Sequence, residues 1–265
     1  TTRTFSTGEL QVLRLTALLT AADGSTEPIA SRWVVGCDGG RSSVRDLSGI
    51  AMTGTSFAER WLILDTANDP DDSRFTKFFC DPARPAVSVP APGGGRRYEF
   101  MLLPGEDTDA LLDATAIASL MAGRRVLAAS DIVRKTVYTF HALAADRFRQ
   151  GRRLIAGDAA HIVPPTGAKG MNLAVSDVIV LSRALELFYK KGNSLGLERY
   201  SDIALRRVWK GERFSWHMTS MLHTFPEHDP FHEQMQLAEL DYYTGSVAGR
   251  TTLAENYVGL PIEGF

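Results

Sequence analysis

The sequence contains few cysteines and no long apolar segment. Only two of its 265 residues are cysteine, Cys37 and Cys80, and their spacing matches no metal-binding motif. Two cysteines do not form the disulfide framework of a small secreted domain, so we expect a reducing compartment, the cytoplasm. No apolar run approaches the roughly 18 residues of a transmembrane helix, and no signal peptide is recognisable. The sequence therefore predicts neither a membrane segment nor a cysteine metal site.

The sequence also lacks a large excess of positive or negative residues. The chain has 29 Lys and Arg against 31 Asp and Glu, a formal net charge of −2. No field of that size attracts nucleic acid or an anionic membrane. His141 and His161 have no second metal ligand at a suitable spacing, and no Gly-x-Ser-x-Gly nucleophile motif occurs. What remains is a soluble globular protein of one or two domains, without metal, nucleic acid or membrane as partners.

Hydrophobic periodicity and turn residues predict a mixed α/β (α+β) fold. Residues 10–20 and 30–36 alternate like strands, and each run is followed by a glycine turn. Strand-like pieces punctuated by Pro and Gly between 57 and 140 indicate a mostly antiparallel sheet, with one helix expected at 109–121. Long helical patterns then follow at 171–188, 197–225 and 231–243.

The stretch GDAAHIVPPTGAKGMN, residues 157–172, stands between a strand pattern and a long helix pattern. Gly157 allows the backbone to approach a ligand closely, and Asp158 projects from the carboxyl end of the strand. Ligands of open α/β sheets bind at that edge, and a carboxylate there suits the hydroxyl groups of a ribose or ribityl chain. A lone Gly-Asp is also common as a turn that binds its own backbone, so both interpretations remain open.

The same stretch continues with a rigid loop and a helix start. Pro164 and Pro165 fix two φ angles, which favours either a flat wall against a ligand or a merely rigid loop. The unpaired N–H groups of a first helical turn attract anions. Gly170 would let a planar group lie on that backbone. An ordinary, locally capped helix start is the alternative.

A second glycine turn occupies residues 37–45, CDGGRSSVR. Two adjacent glycines after a strand permit a tight turn, and Ser42 can cap a short helix at 42–47. Arg41 and Arg45 offer guanidinium groups to a phosphate or carboxylate. Without other context, a plain surface turn explains the pattern as well.

Together these turns resemble two fingerprints of the class A FAD-dependent aromatic monooxygenases. VVGCDGGRSSVR, residues 34–45, resembles their Asp-Gly motif, and RRLIAGDAAHIVPPTGAKGMNLAVSDV, residues 152–178, resembles their Gly-Asp motif. From 151 onward the chain is similar to 4-hydroxybenzoate 3-monooxygenases, and residues 32–150 are similar to 3-(3-hydroxyphenyl)propionate hydroxylases. The resemblance implies an FAD-binding Rossmann-like domain, an inserted mostly antiparallel β-sheet substrate domain and a C-terminal helical region. Their expected bounds are 1–56 with 141–192, then 57–140, then 193–265.

The resemblance also implies roles for individual residues. Pro165 would lie against the flavin and the substrate ring, and Tyr257, in AENYVGLP, would help to activate the substrate phenol. His161 is the candidate for contact with NAD(P)H. The residues that the resemblance assigns to FAD are Asp38, Gly39, Arg41, Gly157, Asp158, Pro165, Gly167, Lys169, Gly170, Met171 and Asn172.

The implied reaction is hydroxylation of a small phenolic aromatic acid with NAD(P)H and O2, by way of a flavin C4a-hydroperoxide. A non-hydroxylating FAD-dependent oxidoreductase of the same fold, or an inactive fragment, are the alternatives. The Ser and Arg that hold the substrate carboxylate in the hydroxybenzoate enzymes have no recognisable counterpart in residues 80–100. The family's opening Gly-x-Gly-x-x-Gly unit is also missing, so we expect an N-terminally truncated sequence. Aromatic and Met residues at 214–225 fit either a core or a homodimer face.

Overall fold

The structure is a computed structural model, and it describes residues 3–6, 15–225 and 228–264. No helix among those residues combines the length and the apolar character needed to cross a bilayer. In the described part of the chain the strands are β1 (Arg3–Ser6), β2 (Leu15–Thr20), β3 (Thr26–Ser31), β4 (Val34–Gly36), β5 (Met52–Thr66), β6 (Lys77–Phe79), β7 (Ala86–Pro90), β8 (Arg96–Met101), β9 (Ile132–Ala145), β10 (Arg149–Gln150), β11 (Arg153–Ile155) and β12 (His161–Ile162). The helices there are α1 (Ser43–Leu47), α2 (Thr108–Leu111), α3 (Ala114–Leu120), α4 (Gly170–Lys191), α5 (Leu195–Glu198), α6 (Tyr200–Leu222), α7 (Pro230–Gly245) and α8 (Val247–Val258).

The chain divides into two compact units. The first unit comprises Thr1–Thr55, His141–Trp216 and Ala254–Phe265, and the second comprises Ser56–Phe140 and His217–Leu253. The mixed α/β fold class is confirmed. The predicted C-terminal region, 193–265, is divided between the two units, and the domain bounds given above stay a prediction.

The first unit is organised around a parallel pair of strands. β4 and β11 run parallel, with Val34, Val35 and Gly36 opposite Arg153, Leu154 and Ile155, and β10 pairs antiparallel with β11. Leu154 and Ile155 are fully buried in a core that α4 and α6 complete. The Ala156 N–H donates to the Gly36 carbonyl over 3.0 Å, so the chain leaves both strands at the same edge. Both glycine turns therefore begin next to each other.

A separate antiparallel meander, β1–β2–β3, precedes this pair. The strand predicted at 10–20 appears as β2 from Leu15 onward, while residues 10–14 lie outside the described part of the chain. The single strand predicted at 30–36 is wrong, because β3 ends at Ser31 and β4 begins at Val34. Between them the Trp33 ring meets the Phe188 ring edge-on, at 5.4 Å between centroids, which takes this residue out of the strand pattern.

In the second unit, β5, β8, β7 and β6 form an antiparallel sheet in that order, so the predicted antiparallel character is confirmed. One face, with Leu62, Leu64 and Phe100, packs on Ile117 and Met121. The opposite face carries Trp61, Ile63, Val87 and Met101 and packs on Phe225. The helix predicted at 109–121 is instead two helices, because Asp107 caps α2 and Asp113 starts α3 with a second cap.

The aromatic and Met residues at 214–225 belong to the core. Phe214, Met218, Met221 and Phe225 are each less than a tenth exposed. Of the two interpretations of this segment, a buried core explains these four side chains. The homodimer stays a prediction without these residues as its contact face.

Gly54 provides a test of the close approach of β5 and β9. Its φ is +136°, and a Cβ there would lie 1.9 Å from the Ala142 carbonyl oxygen. Gly151 also has a positive φ, +61°, but no atom of the described part of the chain lies within 4 Å of its Cβ position. We expect Gly54→Ala to cost more than about 3 kcal/mol of unfolding free energy and Gly151→Ala only about 1–2 kcal/mol. Urea unfolding followed by circular dichroism measures both, and equal midpoints for the two variants would contradict the clash.

Candidate functional site

Asp38 organises the turn that follows β4. Its carboxylate accepts hydrogen bonds from the Ser42 hydroxyl over 2.5 Å and from the Val44 N–H over 3.1 Å. The Ser42 hydroxyl in turn accepts from the Arg45 N–H and caps α1, as predicted. Burial opposes ionisation of Asp38, but the hydrogen bonds from Ser42 and the backbone hold its pKa below the usual value. Asp38 is therefore a fixed negative charge that shapes the turn.

The two arginines of this turn differ in their surroundings. Arg45 is buried and donates to the Gly40 and Ala159 carbonyls, at 3.1 and 3.2 Å, so it links the two glycine turns. This corrects the expectation that Arg45 offers its guanidinium to a ligand. Arg41 is exposed and has no hydrogen bond or ion pair with the described residues. Gly39, at φ +81°, has no atom of the described residues within 4 Å of its Cβ position. Arg41 is therefore an exposed positive charge close to an open stretch of backbone at Gly39.

The turn after β11 is held by a carboxylate that sequence reasoning did not single out. Gly157, at φ +64°, donates its N–H to Asp177 Oδ2 over 2.9 Å. The same oxygen lies 2.7 Å from His161 Nε2. Asp177 is 2% exposed and His161 1%. One signal was present in the sequence: a charged residue stands on the α4 face that also carries Leu173, Val180 and Leu181.

His161 therefore has a defined structural role. Because the Asp177 carboxylate only accepts, Nε2 of His161 carries the hydrogen of this bond. The ring stacks on Phe148 at 5.9 Å between centroids. With so little exposed surface, the residue positions the turn that carries Gly157. Its contact with NAD(P)H stays a prediction.

Asp158 differs from Asp177 in being exposed. Its carboxylate has no hydrogen bond or ion pair with any residue in the described ranges. The turn is closed by the backbone instead, since the Ala160 N–H donates to the Gly157 carbonyl over 2.7 Å. Of the two interpretations of this Gly-Asp pair, the self-bonded turn is therefore not what these residues form. A free carboxylate stands at the carboxyl edge of β11, where it can accept hydroxyl groups.

The loop before α4 is mostly buried and exposes one of its two prolines. Pro164 is buried and Pro165 is exposed at the start of a single 3₁₀ turn, Pro165–Gly167. A Cβ on Gly167 would lie 2.5 Å from Ser215 Oγ, so this residue must be small for the loop to rest on α6. Ala168 then takes the left-handed conformation, at φ +51°, and turns the chain into the helix.

The first turn of α4 is open at its amino end. Lys169 occupies the N-cap position without a side-chain cap, and the first turn contains no acidic residue. The locally capped helix start is therefore not observed. Asn172 and Met171 are exposed, with Met171 at 78%. Backbone N–H groups and the helix dipole together favour a partial negative charge at this position.

Lys169 and Tyr257, taken from two distant motifs, lie together. The Lys169 ammonium donates to the Tyr257 carbonyl over 2.5 Å and sits 5.0 Å from the Phe214 ring centroid. Burial, and then the charge of Arg207, lower the pKa of Lys169. The Tyr257 ring meets Phe214 edge-on at 6.1 Å and is 39% exposed. Lys169 therefore ties the start of α4 to the end of α8.

In the second unit, the guanidinium of Arg96 on β8 is occupied by hydrogen bonds within the protein. It is 0% exposed, and it donates to Ser88 Oγ over 3.0 Å and to the Ser73 carbonyl over 2.6 Å. Its Nε donates to the Asp71 carbonyl over 3.3 Å. Arg96 and Ser88 hold the loop before β6 rather than offering a site to a ligand. Across the described residues, no three His, Cys, Asp or Glu side chains cluster as metal ligands.

Comparison with known proteins identifies a family and several similar proteins. The model of the FAD binding domain family matches residues 14–215. The p-hydroxybenzoate hydroxylase of Acinetobacter baylyi is 53% identical over 131 residues, which cover 49% of this chain and 32% of that protein. The 3-(3-hydroxy-phenyl)propionate/3-hydroxycinnamic acid hydroxylase of Mycolicibacterium gilvum is 42% identical over 157 residues, 58% of this chain and 27% of that protein. The resemblance predicted from the two glycine turns is confirmed.

A solved structure shares the fold. The crystal structure of p-nitrophenol 4-monooxygenase from Pseudomonas putida matches 98% of this chain and 67% of that chain, with a TM-score of 0.79 and 23% identity. The two curated relatives are matched over about a third of their own length or less. The activity and substrates of a whole enzyme are therefore a matter for proposal.

We expect the Asp177 carboxylate to stabilise the fold through the turn after β11. Asp177→Ala leaves the Gly157 N–H and His161 Nε2 buried without their acceptor, and we expect a loss of about 3–5 kcal/mol of unfolding free energy. Asp177→Asn keeps one oxygen for Gly157, and its NH2 group can donate to the other tautomer of His161, so we expect a smaller loss. Chemical unfolding of the three proteins tests this order. An Asn variant no more stable than the Ala variant would contradict it.

Proposed function

This chain belongs to the FAD-binding domain family, and from that premise we propose that it forms the FAD- and substrate-binding part of a flavin-dependent hydroxylase of phenolic aromatic acids. The observation that carries the proposal is the sheet edge of the first unit. There Asp158, exposed and without a partner among the described residues, stands in the turn after β11, and an exposed Pro165 precedes a helix start without a side-chain cap. These are donor and acceptor groups of the kinds that a flavin requires.

The residues present fit FAD by their chemistry. The Asp158 carboxylate would accept hydroxyl groups of the ribityl chain. The backbone N–H groups at Gly170, Met171 and Asn172 would bind the pyrimidine edge of the flavin and favour its negative charge when reduced. Arg41, with the open backbone at Gly39, would face the pyrophosphate.

Bound FAD would supply the redox chemistry, the activation of O2 for transfer of one oxygen atom to the ring. This chain would bind, orient and exclude water. Pro165 would form a wall against the flavin and the substrate ring, because its ring is rigid and carries no N–H. The Tyr257 hydroxyl would take part in a proton relay: it would accept a hydrogen bond from the substrate phenol and, as it received the phenol proton, pass its own proton on towards solvent, which raises electron density on the ring.

Substrate and reductant follow from the relatives. The two curated relatives named above are hydroxylases of p-hydroxybenzoate and of hydroxyphenyl-propionate and -cinnamate. A phenol ring with a carboxylate is common to these compounds, so a small aromatic acid is the proposed substrate, with NAD(P)H as the reductant. Since Arg96 and Ser88 are saturated, we do not expect them to bind the substrate carboxylate.

Retention of FAD is the first test. After incubation of the chain with FAD and removal of the free cofactor, we expect a flavin absorption band. Asp158→Ala should weaken FAD binding about 10- to 100-fold, because one charge-assisted hydrogen bond contributes about 1.5–3 kcal/mol. Asp146→Ala is the matched control, since Asp146 is exposed and pairs with the neighbouring Arg147. A chain that retains no FAD would support the fragment alternative, and equal effects of the two variants would exclude Asp158 from the site.

Tyr257→Phe separates hydroxylation from cofactor binding. The variant keeps the ring that packs on Phe214 and the carbonyl that accepts from Lys169, so FAD retention should not change. Product formation from 4-hydroxybenzoate or 3-(3-hydroxyphenyl)propionate should fall about 100-fold or more, because proton transfer is lost. Oxygen uptake with product analysis measures this. Oxygen uptake without hydroxylated product in the unmodified chain would favour the non-hydroxylating oxidoreductase.

A further inference from the structure

Four of the six histidines of this chain lie between positions 217 and 232, where α6 ends and α7 begins. They are His217, His223, His228 and His232, and all four belong to the second unit. The proposed function uses none of them. Histidine is the side chain that most readily changes its charge between pH 5 and 8. This junction is therefore sensitive to mild acid wherever one of the rings has to stay neutral.

His223 occupies a site that favours a neutral ring. It follows α6 directly and is 3% exposed. Between centroids, its ring lies 4.8 Å from the Trp61 ring of β5 and 6.4 Å from the Phe78 ring of β6. Its Nδ1 is buried and has no hydrogen-bond partner among the described residues. Protonation would place a charge, and an N–H on each ring nitrogen, against aromatic rings that offer no such acceptor.

No charged group in the described ranges compensates for a charge on His223. The titratable side chains that strand alternation places on the contacted face are Glu59, Asp65 and Cys80, with Glu99 on the neighbouring β8. Glu233 and Glu239 lie one turn from Gln236, the α7 residue that contacts this segment. None of these groups contributes to the pKa of His223, which burial alone lowers to about 4.

The contact with α7 determines what a charged His223 would release. The Gln236 amide donates to the Ser220 and His223 carbonyls, over 2.6 and 2.7 Å. No residue of α7 is buried, so few contacts hold this helix on the second unit. Segments with little buried surface open most easily. When the end of α6 leaves the sheet, α7 loses its two hydrogen bonds from Gln236.

The other titratable groups of the junction respond to acid in different ways. His217 Nε2 lies 3.7 Å from Glu239 Oε1, so protonation of His217 would strengthen that contact between α6 and α7. His232 Nδ1 lies 2.7 Å from Asp229 Oδ1, and both side chains are exposed. The His228 ring stacks on His232 at 5.1 Å between centroids, where two positive charges would repel each other. A test therefore has to compare variants, since the effects of these groups partly cancel.

From this geometry we propose that His223 is an acid-sensitive latch, whose neutral ring holds the end of α6 on β5 and β6 and whose protonation releases that end, with α7, from the sheet of the second unit. None of the residues in the latch is assigned to FAD, NAD(P)H or substrate. Failure of FAD retention would therefore count against the proposed function alone.

Amide hydrogen exchange of the full chain tests the latch, read by mass spectrometry and corrected for the intrinsic pH dependence of exchange. A folded-state pKa of about 4, below the ordinary value of 6.5, contributes stability above pH 6.5 that is lost as pH falls towards 4. Between pH 7.5 and 5.0 we expect protection of α7 and of the last turn of α6 to fall about 10- to 30-fold. Protection of α4, which lies in the first unit, should change less than about threefold.

Variants at two histidines assign the response. His223→Phe keeps an aromatic ring against Trp61 and Phe78 and binds no proton, so protection of α7 should stay within about threefold over the same pH interval. His223→Met, with a flexible apolar side chain, should give the same result if the larger Phe ring disturbs folding. His232→Gln is the matched control, because it removes an exposed histidine of the same junction and should keep the full pH dependence.

Three results would overturn the proposal. One is equal pH dependence of α7 protection in the unmodified chain and both His223 variants, which would assign the acid response to other groups. Another is unchanged α7 protection in the unmodified chain between pH 7.5 and 5.0, which would mean that the Trp61 and Phe78 rings stabilise the imidazolium as a cation. The last is an equal fall of protection in α4, which would mean unfolding of the whole chain rather than release of α7.

Discussion

The fold of the first unit depends on one buried carboxylate. Asp177 sits on α4, and its Oδ2 accepts from both the Gly157 backbone and His161. Gly157 follows β11, so this contact fixes the end of the strand against the helix that the same segment goes on to form. The turn can then expose Asp158 without using its side chain to hold the backbone. A second hydrogen bond, from the Tyr200 hydroxyl to the Ile155 carbonyl over 2.9 Å, holds the strand itself.

The turns were predictable because their conformations are set locally. Gly157 at positive φ, the rigid Pro164-Pro165 pair and the Ser42 cap each have a chemistry that few other residues supply. The parallel pairing of β4 and β11 then brings the two turns to one edge, as open α/β sheets generally do. For such segments, residue types and their order carry most of the structural information.

Contacts made across the chain were not predictable in the same way. Arg45 was expected to offer its charge to a ligand, yet it binds the Ala159 carbonyl, 114 positions away. In α4 the apolar positions Met171 and Val178 fit the helical repeat but are 78% and 55% exposed. The buried face instead includes Ser176 and Asp177. Hydrophobicity alone therefore predicts the wrong buried face for this helix, because a carboxylate that is paired can occupy a core position.

The buried carboxyl groups of Asp177 and Glu212 differ in their hydrogen-bond partners. Asp177 is saturated by two donors, and its removal leaves those donors unpaired. Glu212 has no partner in the described residues, so an apolar residue of similar size would serve folding better. A similar difference separates Asp38, whose carboxylate is used by its own turn, from Asp158, whose carboxylate has no partner among the described residues.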